Sequence, residues 1–354
     1  MTPIFLNARY ESRPVTGVER YAHEMARRLG DELIPIRPRR PLTGMRAHFW
    51  EQCILPGLIP PRRLLWSPAN TGPLMVRNQV VTIHDLAPLE HPQWFTPAFA
   101  RGYGWLWPRL AQRVCHIVTD SEFSRRRIMS LLDVPASKVS VVLVGVDAEQ
   151  FRPRPAAEVE AVRARYALPE EYALFVGSVQ PRKNLGGLLA AWGQANLPGA
   201  VLVVAGEAGA AFAVSEVQKP ANEFATTRFL GRVPDADLPA LYSGARLFVM
   251  PSLYEGGGLT VLEALACGCP VIAAGNTALP EYAGDLGSIL IDPGDTGALA
   301  GAIKNVWGDE DLREAVRLRG PEHARSFSWE KSAEAMREIL IAKGTKEAQS
   351  TERF

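Results

Sequence analysis

Short runs of valine, isoleucine and leucine, each followed by an amphipathic stretch, recur along this chain, and no other feature constrains its fold as strongly. Apolar runs that do not alternate with polar residues suit strands covered by helices on both faces, as in a parallel sheet. In the first half they are IFLN (4–7), LLWS (64–67), VVTIH (80–84), HIVTD (116–120) and VSVVLVG (139–145). Between the first two, Val18, Tyr21, Ala22, Met25, Ala26 and Leu29 recur at helical spacing and predict a helix over 17–29. A Pro-rich, charged stretch from Ala148 to Val162 reads as a linker. The rhythm then restarts with ALFVGS (173–178), AVLVVAG (200–206), TRFLG (227–231), RLFVM (246–250), PVIAA (270–274) and SILI (288–291). Two such α/β series predict two doubly wound domains, 1–160 and 161–326, with a cleft between them. Residues 327–354 follow as a helix returning to the first domain and a polar tail, frayed from Ala342 onward.

At 354 residues the chain is too long for one ordinary core, and 47% apolar with 22% charged residues excludes a disordered or fibrous protein. Cys53, Cys115, Cys267 and Cys269 form no CxxC pair, so neither a disulfide framework nor a zinc site is expected, which suits a reducing, cytoplasmic compartment. The first fifteen residues carry Arg9, Glu11 and Arg13 where a secretory segment would be apolar. No apolar run reaches the roughly 18–20 residues of a membrane span. The net charge of +1 hides a basic first half: residues 1–165 carry +8 and the remainder −7. Such an asymmetry either has the two domains face different partners, the basic one an anionic membrane surface, or is chance spread over solvated faces; no nucleic-acid partner is expected. The aromatic segment 94–107, with Arg101, Arg109 and Arg113 nearby, either touches that surface or packs as an aromatic helix.

The most informative stretch is MPSLYEGGGLTVLEALACGCPVIAA, from Met250 to Ala274. A strand leads to Glu255, then Gly256, Gly257 and Gly258, then a helix from about Leu259. Glycines there let the backbone approach a ligand, and the first helical amides lack partners, which suits a diphosphate. Glu263 lies among apolar helix neighbours, where it must meet a cation, accept hydrogen bonds from hydroxyls, or form a structural salt bridge. Arg182 and Lys183 follow the first strand of the second series, at the sheet end where doubly wound folds bind ligands. Gly17 either permits close approach to a ligand or simply starts a helix behind Thr16. His84 ends the VVTIH run; it is either a hydrogen-bonded core residue or a site residue, with Asp85 orienting it or capping the following turn. Asp235-Ala236-Asp237 matches a metal-binding pattern but precedes a helix and reads as its N-terminal cap, so no catalytic metal and no cofactor are expected.

The run YEGGGLTVLEALACGCPVIA, with seven residues between Glu255 and Glu263, resembles the donor-site motif of the retaining glycosyltransferases of family 4, which have the GT-B fold. Other segments agree in order along the chain: TGVERYAHEMARRL near the start, VTIHDLAPLEHPQWF (81–95), DSEFSRR (120–126), VVLVGVD (141–147), FVGSVQPRKNL (175–185), FLGRV (229–233) and FSW (327–329). Gly257 stands where the family usually has a bulky residue, and Ser178 where it often has an arginine, a role Arg182 would take over. The resemblance implies a metal-independent enzyme that moves a hexose, with retention, from a nucleotide-diphosphate sugar to a saccharide or lipid-linked saccharide. It implies Lys183 and Arg182 on the diphosphate, with the backbone from Gly256 through Thr260 nearby. It further implies Glu263 on the ribose and Glu255 on the transferred sugar. Gly17, Ser178 and Leu230 would border the donor, and His84 would join Glu255 at the reacting centre. TGVERYA and HDLAPLEHPQWF resemble mannosyl- and rhamnosyltransferases, which makes GDP-mannose the first donor to try. A non-catalytic sugar-nucleotide-binding subunit is the alternative. A nicotinamide oxidoreductase would need a G-x-G-x-x-G turn that is absent, and a glycoside hydrolase two carboxylates flanking one bond.

Overall fold

The computed structural model describes residues 3–207, 226–284 and 288–350, with side chains through 345. The chain forms two compact units. One comprises the residues up to Glu90, Ala100–Gly145 and the residues from Trp329; the other comprises His91–Phe99 and Val146–Ser328.

The first unit is built on β1 (Ile4–Asn7), β2 (Leu33–Ile36), β3 (Leu65–Ser67), β4 (Gln79–Thr82), β5 (His116–Thr119) and β6 (Val139–Val141). They form one parallel sheet in the order β2-β1-β3-β4-β5-β6. Five of these strands fall in the apolar runs. The sixth, β2, was not anticipated because Pro35 interrupts LIPI, and β2 accordingly sits at the sheet edge, where a missing N–H is tolerated. The helix Gly17–Leu29 has the expected bounds and buries Tyr21, Ala22 and Met25. The helix Trp329–Ser350 also belongs to this unit: the Trp329 ring meets Tyr21 at 6.1 Å, and Arg337 Nε donates to Glu32 at 2.6 Å. The segment expected to fray from Ala342 is helical through Ser350.

In the helix Pro97–Arg113 the aromatic segment resolves toward packing. Tyr103 and Trp107 are buried, and Trp105 alone of the three turns outward, with the Arg109 guanidinium 4.7 Å from its ring. Among the described residues no helix is long and apolar enough to cross a membrane.

The second unit holds β7 (Tyr172–Val176), β8 (Val201–Ala205), β9 (Thr227–Gly231), β10 (Leu247–Met250), β11 (Val271–Ala274) and β12 (Ser288–Ile291), parallel in the order β12-β11-β10-β7-β8-β9. The stretch read as a linker is part of this body: Phe151 is buried, and Ala156–Arg165 is a helix that buries Val162. Sequence order reverses between β7 and β10 here, and between β1 and β3 in the first unit. In an open α/β sheet the loops leaving such a reversal diverge and open a crevice at the C-terminal strand ends. Beside the second reversal, Gly177 and Gly206 have φ of +157° and +152°, and a Cβ on Gly206 would lie 1.9 Å from the Gly177 carbonyl oxygen. Only glycine lets these two strand ends pass so closely.

Candidate active site

The loops after β7 and β10 bring together groups far apart in sequence. Lys183 Nζ donates to Glu255 Oε1 at 2.5 Å, and Arg182 Nη1 donates to Glu255 Oε2 at 2.8 Å and to the Tyr254 carbonyl at 3.1 Å. Lys183 and Glu255 are both buried. Burial alone would raise the Glu255 carboxyl, but Lys183 and Arg182 outweigh it and hold the group below the ordinary carboxylate range. The triad therefore carries one net positive charge at the sheet's reversal point, which suits an anionic ligand. Ser178 joins through its neighbours: Gln180 Nε2 donates to Ser178 Oγ at 2.6 Å, and Arg182 Nε to Gln180 Oε1 at 3.1 Å.

Gly258 precedes the helix Leu259–Ala266, whose first amides lack intrahelical acceptors. A Cβ on Gly258 would meet the Tyr282 ring at 2.5–2.6 Å, so packing against Tyr282, rather than ligand approach, requires glycine at this position. Gly256 is buried, while Gly257, Leu259 and Thr260 are half-buried. Glu263 is buried in the same helix, and a hydroxyl is among the partners its apolar surroundings call for: it accepts from Tyr242 at 3.1 Å. Leu230 lies near the end of the edge strand β9, on the far side of β7 and β8 from β10, and is half-buried. The Asp-x-Asp pattern has another use: Asp237 accepts from the Tyr166 hydroxyl at 2.7 Å and pairs with Arg165, so its carboxylate does not cap the helix Leu238–Gly244 that it precedes. Among the described residues no group of three or more His, Cys, Asp or Glu side chains is placed to hold a metal ion.

In the first unit, His84 and Asp120 follow the adjacent strands β4 and β5. His84 Nδ1 lies 2.6 Å from Asp120 Oδ2, and Nε2 lies 3.0 Å from the Pro68 carbonyl. Burial opposes a charged imidazole, but Asp120 more than compensates and raises the His84 pKa; burial also lifts Asp120, so the pair keeps its proton as one unit. Asp85 does not orient His84; its Oδ1 accepts from the Ala87 amide at 3.0 Å. Both ring nitrogens are engaged, so a ligand hydroxyl reaches the imidazole only by displacing the Pro68 carbonyl. Gly17 is exposed at the first position of its helix, where the Thr16 amide donates to Glu19 Oε2 at 3.2 Å; the helix-start reading accounts for it.

At the first unit's own reversal lies a cluster that sequence reasoning missed. Glu51 Oε1 accepts from Asn7 Nδ2 at 2.8 Å and Thr71 Oγ1 at 3.0 Å, and pairs with Arg9 Nε at 3.1 Å. Arg9 Nη1 and Glu51 Oε2 are buried without hydrogen-bond partners. The available signal was Asn-Ala-Arg across the end of the first strand.

Two parallel six-stranded sheets, the second with a cationic and glycine-lined reversal, are the architecture of the GT-B fold. Comparisons with known proteins agree. Residues 159–323 match the family model of the group 1 glycosyl transferases, and residues 62–150 that of glycosyltransferase family 4. The O-antigen chain mannosyltransferase B of Escherichia coli is 34% identical over 290 residues, covering 77% of this chain and 75% of that one. D-inositol 3-phosphate glycosyltransferase of Mycolicibacterium smegmatis is 33% identical over 62% of this chain; the match spans only about half (51%) of that protein's length. The structure of HepE from Anabaena in complex with UDP and glucose superposes with a TM-score of 0.75 at 18% identity, covering 97% of this chain and 100% of that one. The chain belongs to the family 4 glycosyltransferases. Neither the oxidoreductase nor the non-catalytic reading is favoured by these likenesses.

Proposed function

We propose that this glycosyltransferase moves a hexose, mannose from GDP-mannose in the first instance, onto a hydroxyl of a lipid-linked saccharide met at an anionic cytoplasmic membrane face. The observation that carries the reading is the Arg182–Lys183–Glu255 triad at the β7/β10 reversal. Its two cations answer the diphosphate, and Glu255, whose carboxylate has lone-pair capacity beyond that taken by Lys183, Arg182 and Ser252, accepts from hydroxyls of the transferred sugar. Glu263 accepts from the ribose. The likeness to the Escherichia coli mannosyltransferase supports mannose as the sugar.

In the reaction we propose, the bond from the anomeric carbon to the diphosphate opens first. The acceptor oxygen then bonds to that carbon on the same face, and its proton passes to the leaving phosphate oxygen. Charge on the diphosphate is met by Lys183, Arg182 and the amides of Leu259 and Thr260, without a metal ion. His84 acts through its placement of the Pro68 carbonyl. The test is incubation with GDP-, UDP-, dTDP- and ADP-sugars in the presence and absence of saccharide acceptors. Acceptor-dependent consumption of GDP-mannose that survives EDTA, with a product keeping the donor's anomeric configuration, supports the proposal. Inversion, or a strict divalent-cation requirement, overturns it.

A further inference from the structure

We propose that the helical segment Gly44–Leu58, together with the loop through Met75, is the surface by which this chain docks on an anionic lipid bilayer. This rests on the lipid-linked acceptor proposed above and names the surface that would meet its membrane.

The helix Gly44–Phe49 runs through a wider turn at Trp50–Ile54 into Leu55–Leu58. Its inner side is buried: Trp50 and Leu55 pack on Leu65 of β3. Its outer side is apolar as well, with Met45 83%, Phe49 62%, Ile54 44% and Leu58 50% exposed. At about 100° per residue Ile54 would lie half a turn from Met45. The wider turn advances less per residue and swings Ile54 back toward the outward side. Gln52 ties the neighbouring loop to this segment, donating to the Gly72 carbonyl at 2.9 Å and accepting from the Leu74 amide at 3.0 Å; Met75, the next residue, is 76% exposed.

Charge selects the occupant. Residues 33–79 contain seven arginines and a single acid, Glu51, which is fully buried against Arg9. Arg39, Arg40, Arg46, Arg62 and Arg77 are exposed. Nucleic acid would explain the arginines without the apolar row, and a neutral protein groove the row without the arginines. Anionic headgroups above an acyl boundary take both. The aromatic helix Pro97–Arg113 offers only Trp105 in comparison. The inner side of the docking segment carries Glu51, so the bilayer would lie about one helix diameter, ~10 Å, from the first sheet's reversal point.

The test is flotation of the full chain with vesicles of phosphatidylcholine, alone or with about one-third phosphatidylglycerol. Binding is expected to the mixed vesicles, weakening as salt rises. The combined variant Met45→Ser, Phe49→Ser and Leu58→Ser should lose at least about tenfold in partitioning, because each change removes apolar area available for burial. Trp105→Ser should bind as the native chain does. All four positions are exposed, so native melting temperatures and an unchanged response to GDP should accompany both results. Full binding by the triple variant, or loss in Trp105→Ser, overturns the assigned surface while leaving the lipid-linked reading intact. Absence of any vesicle binding by the native chain overturns both. A native dimer that the triple variant dissociates would make this face a contact between copies and overturn the proposal.

Discussion

Glutamine at position 255 keeps the shape of the side chain and removes the charge that Lys183 and Arg182 share. The native carboxylate is buried and receives one hydrogen bond from each cation, at 2.5 and 2.8 Å. Removing one partner from a buried ion pair costs roughly 3–5 kcal/mol, because the remaining charge is stranded. The amide oxygen of glutamine still accepts one bond and Arg182 keeps the Tyr254 carbonyl, so the lower end, about 3 kcal/mol, applies. For a unit of this size that corresponds to a melting temperature lower by about 6–12 °C. The variant also removes the negative charge that opposes an anionic ligand at the two cations. GDP should therefore raise the melting temperature of Glu255→Gln by more than it raises that of the native chain, while transfer is lost. Differential scanning fluorimetry with and without GDP reads both effects. An unchanged melting temperature in the absence of ligand would refute the triad, and a smaller GDP response in the variant would refute its role toward phosphate.

Two further outcomes follow from the same geometry. His84 has a raised folded-state pKa, so the stability it contributes is fully present below its ordinary value near 6.5 and is lost as pH rises through the raised one. His84→Gln should flatten that decline in urea midpoints measured across neutral and alkaline pH, and an unaltered slope would remove the His84–Asp120 pair as its source. Gly258→Ala should destabilise the chain by about 1–3 kcal/mol through the clash with Tyr282. The same substitution should cost less in a Tyr282→Ala background, which lacks the Cγ and Cδ2 atoms that crowd the new Cβ, and an equal cost in both backgrounds would place the strain elsewhere.

Much of the fold could be read from the chain because central strands such as β7, β10 and β11 are buried on both faces and show as continuous apolar runs. β7 through β12 coincide to within about one residue with the runs picked out from the sequence, and β2 escaped because an edge strand is free to carry Pro35. The donor-side groups were legible for a related reason. Lys183, Arg182 and Glu255 each follow a strand, and a parallel sheet gathers all such positions at one end. Their mutual ion pairing was not legible, because it depends on β10 lying beside β7, a neighbourhood that sequence order does not specify. His84 with Asp120, and Arg9 with Glu51, were hidden in the same way: each pair joins residues brought together by the fold, and local spacing favoured Asp85 over Asp120. The linker reading failed at Ala148–Val162 because its prolines and charges mask Phe151 and Val162, which anchor the stretch to the second unit.

Calorimetric titration of GDP and guanosine into the native chain and into Lys183→Ala tests most directly whether the β7/β10 reversal grips a diphosphate. The native chain should bind GDP at least about tenfold more tightly than guanosine, consistent with a charge-assisted contact of about 1.4 kcal/mol or more, and the variant should lose most of that advantage while guanosine binds as before. Equal weakening of GDP and guanosine in the variant, or no preference for GDP in the native chain, would contradict the assignment.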